Sequence, residues 1–341
     1  MIERNKYNSE NLEGNENLQT IAGGKINQVA FLIQGSEKKY FEKIINSFNK
    51  TKISERWLVD EAELMNNPNI QNNSINYIIN ESNDPSIKVI DSSKYLINGP
   101  LDDKSFLNQI PHICYCLSER YRQEYLKQVS IHACAVEKDG KGILILGDKG
   151  TGKTNLLIAL CMNHAYRFIG NDIVVIGGGE KLTLVFGNQQ INVRVETIRN
   201  LNPLFSARIN LDDLNNGYET KKSYSTEELG INNCNHEVVL SHIVRINTHI
   251  TNGDYKETPI LSLPTEALRL NENMSRYIRG MTTPLMLSES GSIKGYFPSQ
   301  DNSELCNFRN NLVERFLNEV PFTYISGDES SNIAKKYDLS H

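Results

Sequence analysis

No stretch of this chain approaches the roughly 18 consecutive apolar residues that a membrane-spanning helix needs, and Met1-Ile2-Glu3-Arg4-Asn5 has no apolar segment behind its charges. A transmembrane anchor and a secretory leader are therefore not expected, which leaves a cytoplasmic protein with no membrane partner. Clustered positive charge is missing too: lysine and arginine are dispersed in a chain of net charge −5. General nucleic-acid binding needs a concentrated basic face, so it is not expected. Metal-type cysteine spacing is absent. The six cysteines Cys114, Cys116, Cys134, Cys161, Cys234 and Cys306 are scattered, and no second close pair joins Cys114-Tyr115-Cys116 to complete a zinc site. They read as reduced thiols packed in apolar surroundings. There is no internal repeat, and the only compositional bias is towards asparagine.

What is present suffices for a folded enzyme. The 341 residues, 39% hydrophobic and 23% charged, can bury a core and allow two domains, or one with an appended lobe. The most informative stretch is Ile143-Leu144-Ile145-Leu146-Gly147-Asp148-Lys149-Gly150-Thr151-Gly152-Lys153-Thr154. It reads as a buried strand and a loop matching G-x-x-x-x-G-K-[ST], followed by a helix opening at Asn155-Leu156-Leu157-Ile158. Gly147, Gly150 and Gly152 let the backbone turn tightly enough for successive N–H groups to converge on phosphate oxygens at a helix N-terminus. Asp148, Lys149, Thr151 and Asn155 complete that cradle. Lys153 reaches the outer phosphates, and Thr154 offers a hydroxyl to Mg²⁺, a hard cation that keeps phosphates and waters as its other ligands. A glycine-rich turn matching by accident would not be framed by a strand and a helix in this order. The expected ligands are a nucleoside triphosphate and Mg²⁺.

Upstream, Ile131–Val136 is a strand-like run and Glu137–Gly142 a turn, so a hairpin feeds the loop. Downstream, a helix of about four turns leads through Tyr166–Asp172 into Ile173–Ile176, two short strands with a polar break at Asn171-Asp172. From His132 to Asp172 the chain resembles the HPr kinase/phosphorylase family and its relatives, which include kinases of small hydroxylated substrates and of ribosomal peptides. Those proteins run histidine, small residues, a glycine turn, an apolar strand, the phosphate loop, a helix and a pair of acids. The resemblance is specific over residues 129 to 176 and much weaker elsewhere.

The resemblance implies an α/β fold, a P-loop kinase core of the HPr-kinase-like type with a mixed sheet, plus a smaller N-terminal α+β lobe. It also implies ATP as the donor, and places His132 beside the phosphates, as a donor to the transferred group or an orienter of Asp172. Without it, a lone histidine on a strand is more often a core residue. Arg194 falls where relatives carry a basic residue near the phosphates. The other reading is a solvated strand face on which Asn192, Arg194 and Glu196 alternate. Two positions depart from the family: Asn171 stands in place of the first acid, and Asn155 where the bacterial HPr enzymes carry glutamate. Asp172 is then the one acid of the pair left to bind Mg²⁺ or to accept the proton of an attacking hydroxyl. Asn171 and Arg194 are candidates for substrate contact.

Residues 1–24 are polar and read as a mobile tail. Residues 25–100 form the lobe, with strands at Gln28–Ile33, Ile75–Ile79, Ile87–Asp91 and Lys94–Ile97 and a helix at Tyr40–Phe48. Residues 101–341 form the kinase-like domain, entered through a helical stretch from Asp102 to Lys127. Strands follow at Leu182–Phe186, Ile191–Glu196 and Val238–Ile246, with a polar stretch over 200–236 that reads as a lid or a solvated loop. A helix starts near Ser262 and carries Arg269, Arg276 and Arg279, either a basic stripe or its wet face. A helix at Leu305–Leu317 and a strand at Val320–Ile325 close the pattern.

The expected activity is an ATP-dependent kinase that transfers the γ-phosphate to a hydroxyl, Ser-type by the resemblance, of a peptide, protein or small metabolite. Asp172, His132 and Lys153 are its catalytic candidates, with Thr154 and Asp172 as metal ligands. The HPr protein itself is not the expected acceptor, since the family's glycine-rich motif after the core is not found. Two alternatives stay open: an inactive nucleotide-binding regulator, and an enzyme that activates a carboxylate or amide. Phosphoryl transfer passes largely through a loose transition state, so a weakened base need not abolish it. If the missing acid merely slows proton removal, an aspartate at 171 raises turnover; if the acceptor is itself a carboxylate, it lowers it. Homo-oligomerisation is left open.

Overall fold

The computed structural model describes residues 19–26, 29–35, 38–50, 74–91, 93–194, 221–248, 255–260, 262–279, 284–287, 293–296, 298–327 and 330–340. The chain divides into two compact units, Met1–Ser118 with Thr282–Pro298, and Glu119–Met281 with Ser299–His341.

The first unit is built on β1 (Gln19–Ile26), β2 (Val29–Gly35), α1 (Phe41–Lys50), β3 (Ile75–Glu81), β4 (Ser86–Asp91), β5 (Lys94–Gly99), α2 (Lys104–Leu107) and most of α3 (Ile110–Tyr121). Its sheet runs β1-β2-β3-β5-β4, parallel through β2, β3 and β5 and antiparallel at both edges. Phe31, Tyr77 and Tyr95 fill one face, with Phe48 of α1 stacked on Phe31 at 5.4 Å between centroids. The Tyr77 hydroxyl donates to Cys114 O at 2.8 Å, so its polar tip is satisfied within the core. A short hairpin, Pro284–Leu287 with Ile293–Tyr296, belongs to this unit. β1 begins at Gln19, inside the stretch expected to be a mobile tail; composition alone does not register that its backbone pairs along β2.

The second unit is mixed α/β. In order it contains β6 (Gln128–Ile131), β7 (Cys134–Lys138), β8 (Lys141–Leu146), α4 (Lys153–Asn163), β9 (Arg167–Gly170), β10 (Val174–Gly177), β11 (Thr183–Gly187), β12 (Gln190–Arg194), β13 (Lys221–Ser225), β14 (Val238–Asn247), β15 (Lys256–Pro259), α5 (Leu263–Ser275), α6 (Ser303–Glu319), β16 (Phe322–Ser326) and α7 (Ser330–Ser340). The main sheet runs β6-β10-β11-β14-β8-β7-β9, with β16 beside β14 and β15 beside β16. β14 is parallel to both β8 and β16, and the other pairings in this sheet are antiparallel.

The apolar run of β8 is explained by burial on both faces. Ile143 and Ile145 join a core with Leu156, Leu157 and Leu160 of α4, while Leu144 and Leu146 join a second core with Leu270 and Met274 of α5 and Phe316 of α6. β8 is therefore clamped between two helical layers.

Three differences from the sequence reading have local causes. The expected continuous strand 131–136 breaks at His132, because β6 pairs with β10 while β7 pairs with β8 and β9. Of the polar 200–236 stretch, 221–225 is β13 against β12, and Leu229 and Ile231 beyond it are buried; residues 200–220 lie outside the described residues. The chain also continues past β16 into α7, whose Ile333, Ala334 and Tyr337 pack in the α4 core. Among the described residues no helix is long and apolar enough to cross a membrane.

Candidate functional site

The loop between β8 and α4 is shaped by glycines that other residues cannot replace. Gly147, Gly150 and Gly152 have φ of 154°, 91° and 92°. A Cβ on Gly147 would stand 2.5 Å from Thr151 Oγ1 and 2.8 Å from the Ile246 carbonyl oxygen, closer than any real contact. The Thr151 hydroxyl donates to Asp148 O at 2.8 Å, and Thr248, just after β14, donates through N–H and hydroxyl to Thr151 O at 3.3 and 3.2 Å. Gly152 caps α4, whose first-turn N–H groups have no carbonyl of their own helix to bond. An anion is the complementary ligand there.

Lys153 opens α4, and its Nζ donates to Gly147 O at 2.8 Å and Asp148 O at 2.9 Å. Burial holds this lysine below its ordinary value, opposed by nearby Cys134, Asp172 and Asp148. The Thr154 hydroxyl donates to Asn171 Oδ1 at 3.0 Å. The same Oδ1 accepts from the Cys134 thiol at 3.2 Å, while Asn171 Nδ2 donates to Gln190 O at 3.3 Å. Asn171 is fully buried and uses both ends of its amide. Burial, with the Asp172 charge next, pushes the Cys134 thiol up to about 12 and leaves it an inert neighbour.

Asp172 follows in the β9–β10 turn at φ 65°, a left-handed conformation that aspartate tolerates better than most residues. Its Oδ2 accepts from Asn192 Nδ2 of β12 at 3.2 Å. Its carbonyl accepts from His132 Nδ1 at 2.7 Å. A carbonyl can only accept, so Nδ1 carries the proton and the neutral ring keeps its lone pair on Nε2. Burial disfavours the charged ring, Lys153 and Arg276 add to that, and Asp172 opposes it; the net direction is down from the ordinary histidine value. Asn273 of α5 holds the bend carrying His132, accepting from its N–H at 2.7 Å and donating to its carbonyl at 3.2 Å. Arg245, opposite Leu146 in the sheet, forms a buried ion pair with Glu266 at 2.6 Å and braces β14 against α5 beside the loop.

The structure thus brings Lys153, Thr154, Asn171, Asp172 and His132 together, with Asn192 and Asn273 around them. Asp148, Lys149 and Gly150 form the exposed crest of the loop. Asn155 is part-buried in the first turn of α4, with no hydrogen bond shown from its side chain to another described residue. Arg194 ends β12 opposite Lys221, and its side chain lies outside the described residues. Sequence reading gave Asn192 only a strand face and did not find Asn273, which lies 141 positions from His132. The donor set at Thr154 and Asp172 is hydroxyl and carboxylate oxygen, the chemistry that suits a hard cation. Among the described residues no group of three or more His, Cys, Asp or Glu could hold a metal by itself. Mg²⁺ would be held there by the Thr154 and Asp172 oxygens together with phosphate oxygens and water.

The burial of Asn171 changes what an acid there would do. In Asn171→Asp one carboxylate oxygen can keep the Thr154 and Cys134 protons, but the other would face Gln190 O where a donor is needed. Desolvation and that contact raise the folded-state pKa of the new acid above its unfolded value. The sign follows: the loss is least below the unfolded pKa and grows as pH rises through the folded one. Asn171→Asp is expected to lower stability by about 2 kcal/mol at pH 8, and by less at pH 5. Urea unfolding at the two pH values checks this, and equal midpoints with the parent protein would remove Asn171 from its buried role.

No family model and no curated protein matches the sequence. Among solved structures the chain is similar to the Hpr(Ser) kinase/phosphatase from Coxiella burnetii, at 15% identity over 39% of this chain and 78% of that chain, with a TM-score of 0.23. A similarity at that TM-score decides neither fold nor reaction.

Proposed function

We propose that this chain binds ATP with Mg²⁺ and transfers the γ-phosphate to a hydroxyl group of a peptide or small molecule. The observation that carries the reading is the start of α4: a loop held in glycine-only conformations, a lysine ammonium lying across it, and a threonine hydroxyl oriented by Asn171, with the Asp172 charge reaching the lysine. In this reading the loop N–H groups and Lys153 hold the β- and γ-phosphates. Thr154 and Asp172 hold the metal, which supplies charge neutralisation on the phosphate oxygens. His132 has Nδ1 committed to the Asp172 carbonyl, so Nε2 is its free proton acceptor for the attacking hydroxyl. The bond from the γ-phosphorus to the bridging oxygen breaks as the new bond to the hydroxyl oxygen forms, and ADP leaves.

A nucleotide-binding regulator without turnover is the second reading, and the buried amide at Asn171 favours it, since one carboxylate remains where two would share metal and base work. One experiment separates the two. ATP with Mg²⁺ at 100 times its Kd is expected to stabilise the chain by about 2.7 kcal/mol in a thermal-shift assay. No stabilisation by any nucleoside triphosphate would end the phosphate-site reading. Binding without transfer of labelled γ-phosphate to source-lysate peptides, metabolites or water would select the regulator.

A further inference from the structure

The three arginines expected on the α5 stretch are not equivalent. Arg269 pairs with Glu266 at 3.0 Å, and Arg279 is held by Asn271 at 3.1 Å and Asp301 at 3.5 Å. Both guanidiniums are thereby engaged by described partners. Arg276 lies between them, exposed, and among the described residues its guanidinium makes no ion pair; its nearest described partner is the ring of adjacent Tyr277, 6.0 Å away at the centroid.

Its position is not that of an ordinary surface arginine. Asn273 grips the His132 backbone through two hydrogen bonds, and Arg276 follows it one helical turn later, with its N–H bonded to Asn273 O at 3.4 Å. Residues so spaced share a helix face, so the face of α5 turned to His132 continues into Arg276. The Arg276 charge is accordingly felt at His132, where it acts with Lys153 against a second positive charge. Just past the end of α5, beyond His132, the site therefore carries an exposed guanidinium with no ion pair among the described residues; the polar neighbours Asn192 and Asn273 are neutral, and the Asp172 carboxylate lies across His132 and is held by Asn192. A planar guanidinium in that setting matches a carboxylate or phosphate through two parallel N–H bonds.

We infer that Arg276 forms an anion subsite for the acceptor, so that the molecule phosphorylated here carries a carboxylate or phosphate beside the hydroxyl it presents at His132. The inference rests on the proposed kinase reading and names its substrate class.

The test uses the full chain and compact probes that differ only in the anion: glycerol, glycerate and glycerol 3-phosphate, titrated calorimetrically into the parent protein and Arg276→Gln with ATP titrated in parallel. Glycerate, glycerol 3-phosphate or both are expected to bind the parent protein, with glycerol at least tenfold weaker. Arg276→Gln should lower the affinity for the anions about tenfold or more, leave glycerol unaffected and leave ATP affinity within twofold; Arg276→Lys should restore part of the loss. The carboxylate and phosphate arms show which anion the subsite prefers. Identical anion affinity in the parent protein and Arg276→Gln, or no anion binding at all with ATP binding intact, overturns the subsite alone. An equal loss of ATP affinity in Arg276→Gln also overturns it, by assigning the arginine to the nucleotide. Absence of ATP binding overturns the subsite and the kinase reading together.

Discussion

If the chain is the kinase proposed above, Lys153→Ala is expected to lower phosphoryl transfer by about 10³-fold, because it removes the buried ammonium lying across the loop where charge would develop on the transferred group. Lys153 is almost wholly buried, and its Nζ bridges the carbonyls of Gly147 and Asp148. Asp148 is exposed and Gly147 half-buried, so water is expected to reach these acceptors once the ammonium is removed, and the stability change should stay within about 1 kcal/mol. The large effect on rate with a small effect on folding is what distinguishes a phosphate ligand from a structural cap. Single-turnover transfer from labelled ATP, measured beside the thermal midpoint, reads both. Turnover within tenfold of the parent protein would withdraw Lys153 from the reacting centre.

Asp172→Asn is expected to lower transfer by about 10²-fold to 10³-fold while changing ATP affinity less than threefold, since the residue is assigned to the metal and not to the cradle. Asparagine is the informative replacement. It accepts the φ of 65° that Asp172 adopts, and its amide oxygen can still take the proton of Asn192 Nδ2. Alanine would add backbone strain at the same position and blur the result. Removing the Asp172 charge also removes the influence that favours protonated His132, so the ring moves further towards the neutral form. A surviving defect is then a loss of the carboxylate itself. A parent-like rate with Asp172→Asn would show that Asp172 neither holds the metal nor assists transfer.

The legible part of this protein was the part that is local in the chain. The strand Lys141–Leu146, the loop and the helix from Lys153 are contiguous, and each rests on properties carried by neighbouring residues: apolar side chains on both faces of a strand, glycine at positive φ, free N–H groups at a helix start. The lobe strands at Ile75–Glu81 and Lys94–Gly99 were legible for the same reason, through their apolar and β-branched runs. β1 was not, because Gln19–Ile26 is polar and glycine-rich and is a strand only by pairing with β2. The break at His132 was equally invisible, since a run of residues with strand propensity does not record that its two halves pair with different partners.

By itself the amino-acid sequence determined the strand, the loop and the helix start, because an apolar run leads straight into the eight consecutive residues from Gly147 to Thr154 and their glycines leave the backbone few other shapes. Only the tertiary structure decided what surrounds them. Asn171 reads in sequence as a missing acid, and packing makes it a buried amide that holds the Thr154 hydroxyl. His132 reads as a lone histidine, and contacts with Asp172 and the distant Asn273 set its tautomer and its place. Three arginines on and just after α5 read alike, and ion pairs to Glu266 and Asp301 set two of them apart from Arg276. The reason is physical: a backbone conformation is specified by neighbours along the chain, whereas a side chain's protonation, partner and burial are set by segments that meet only when the chain has folded.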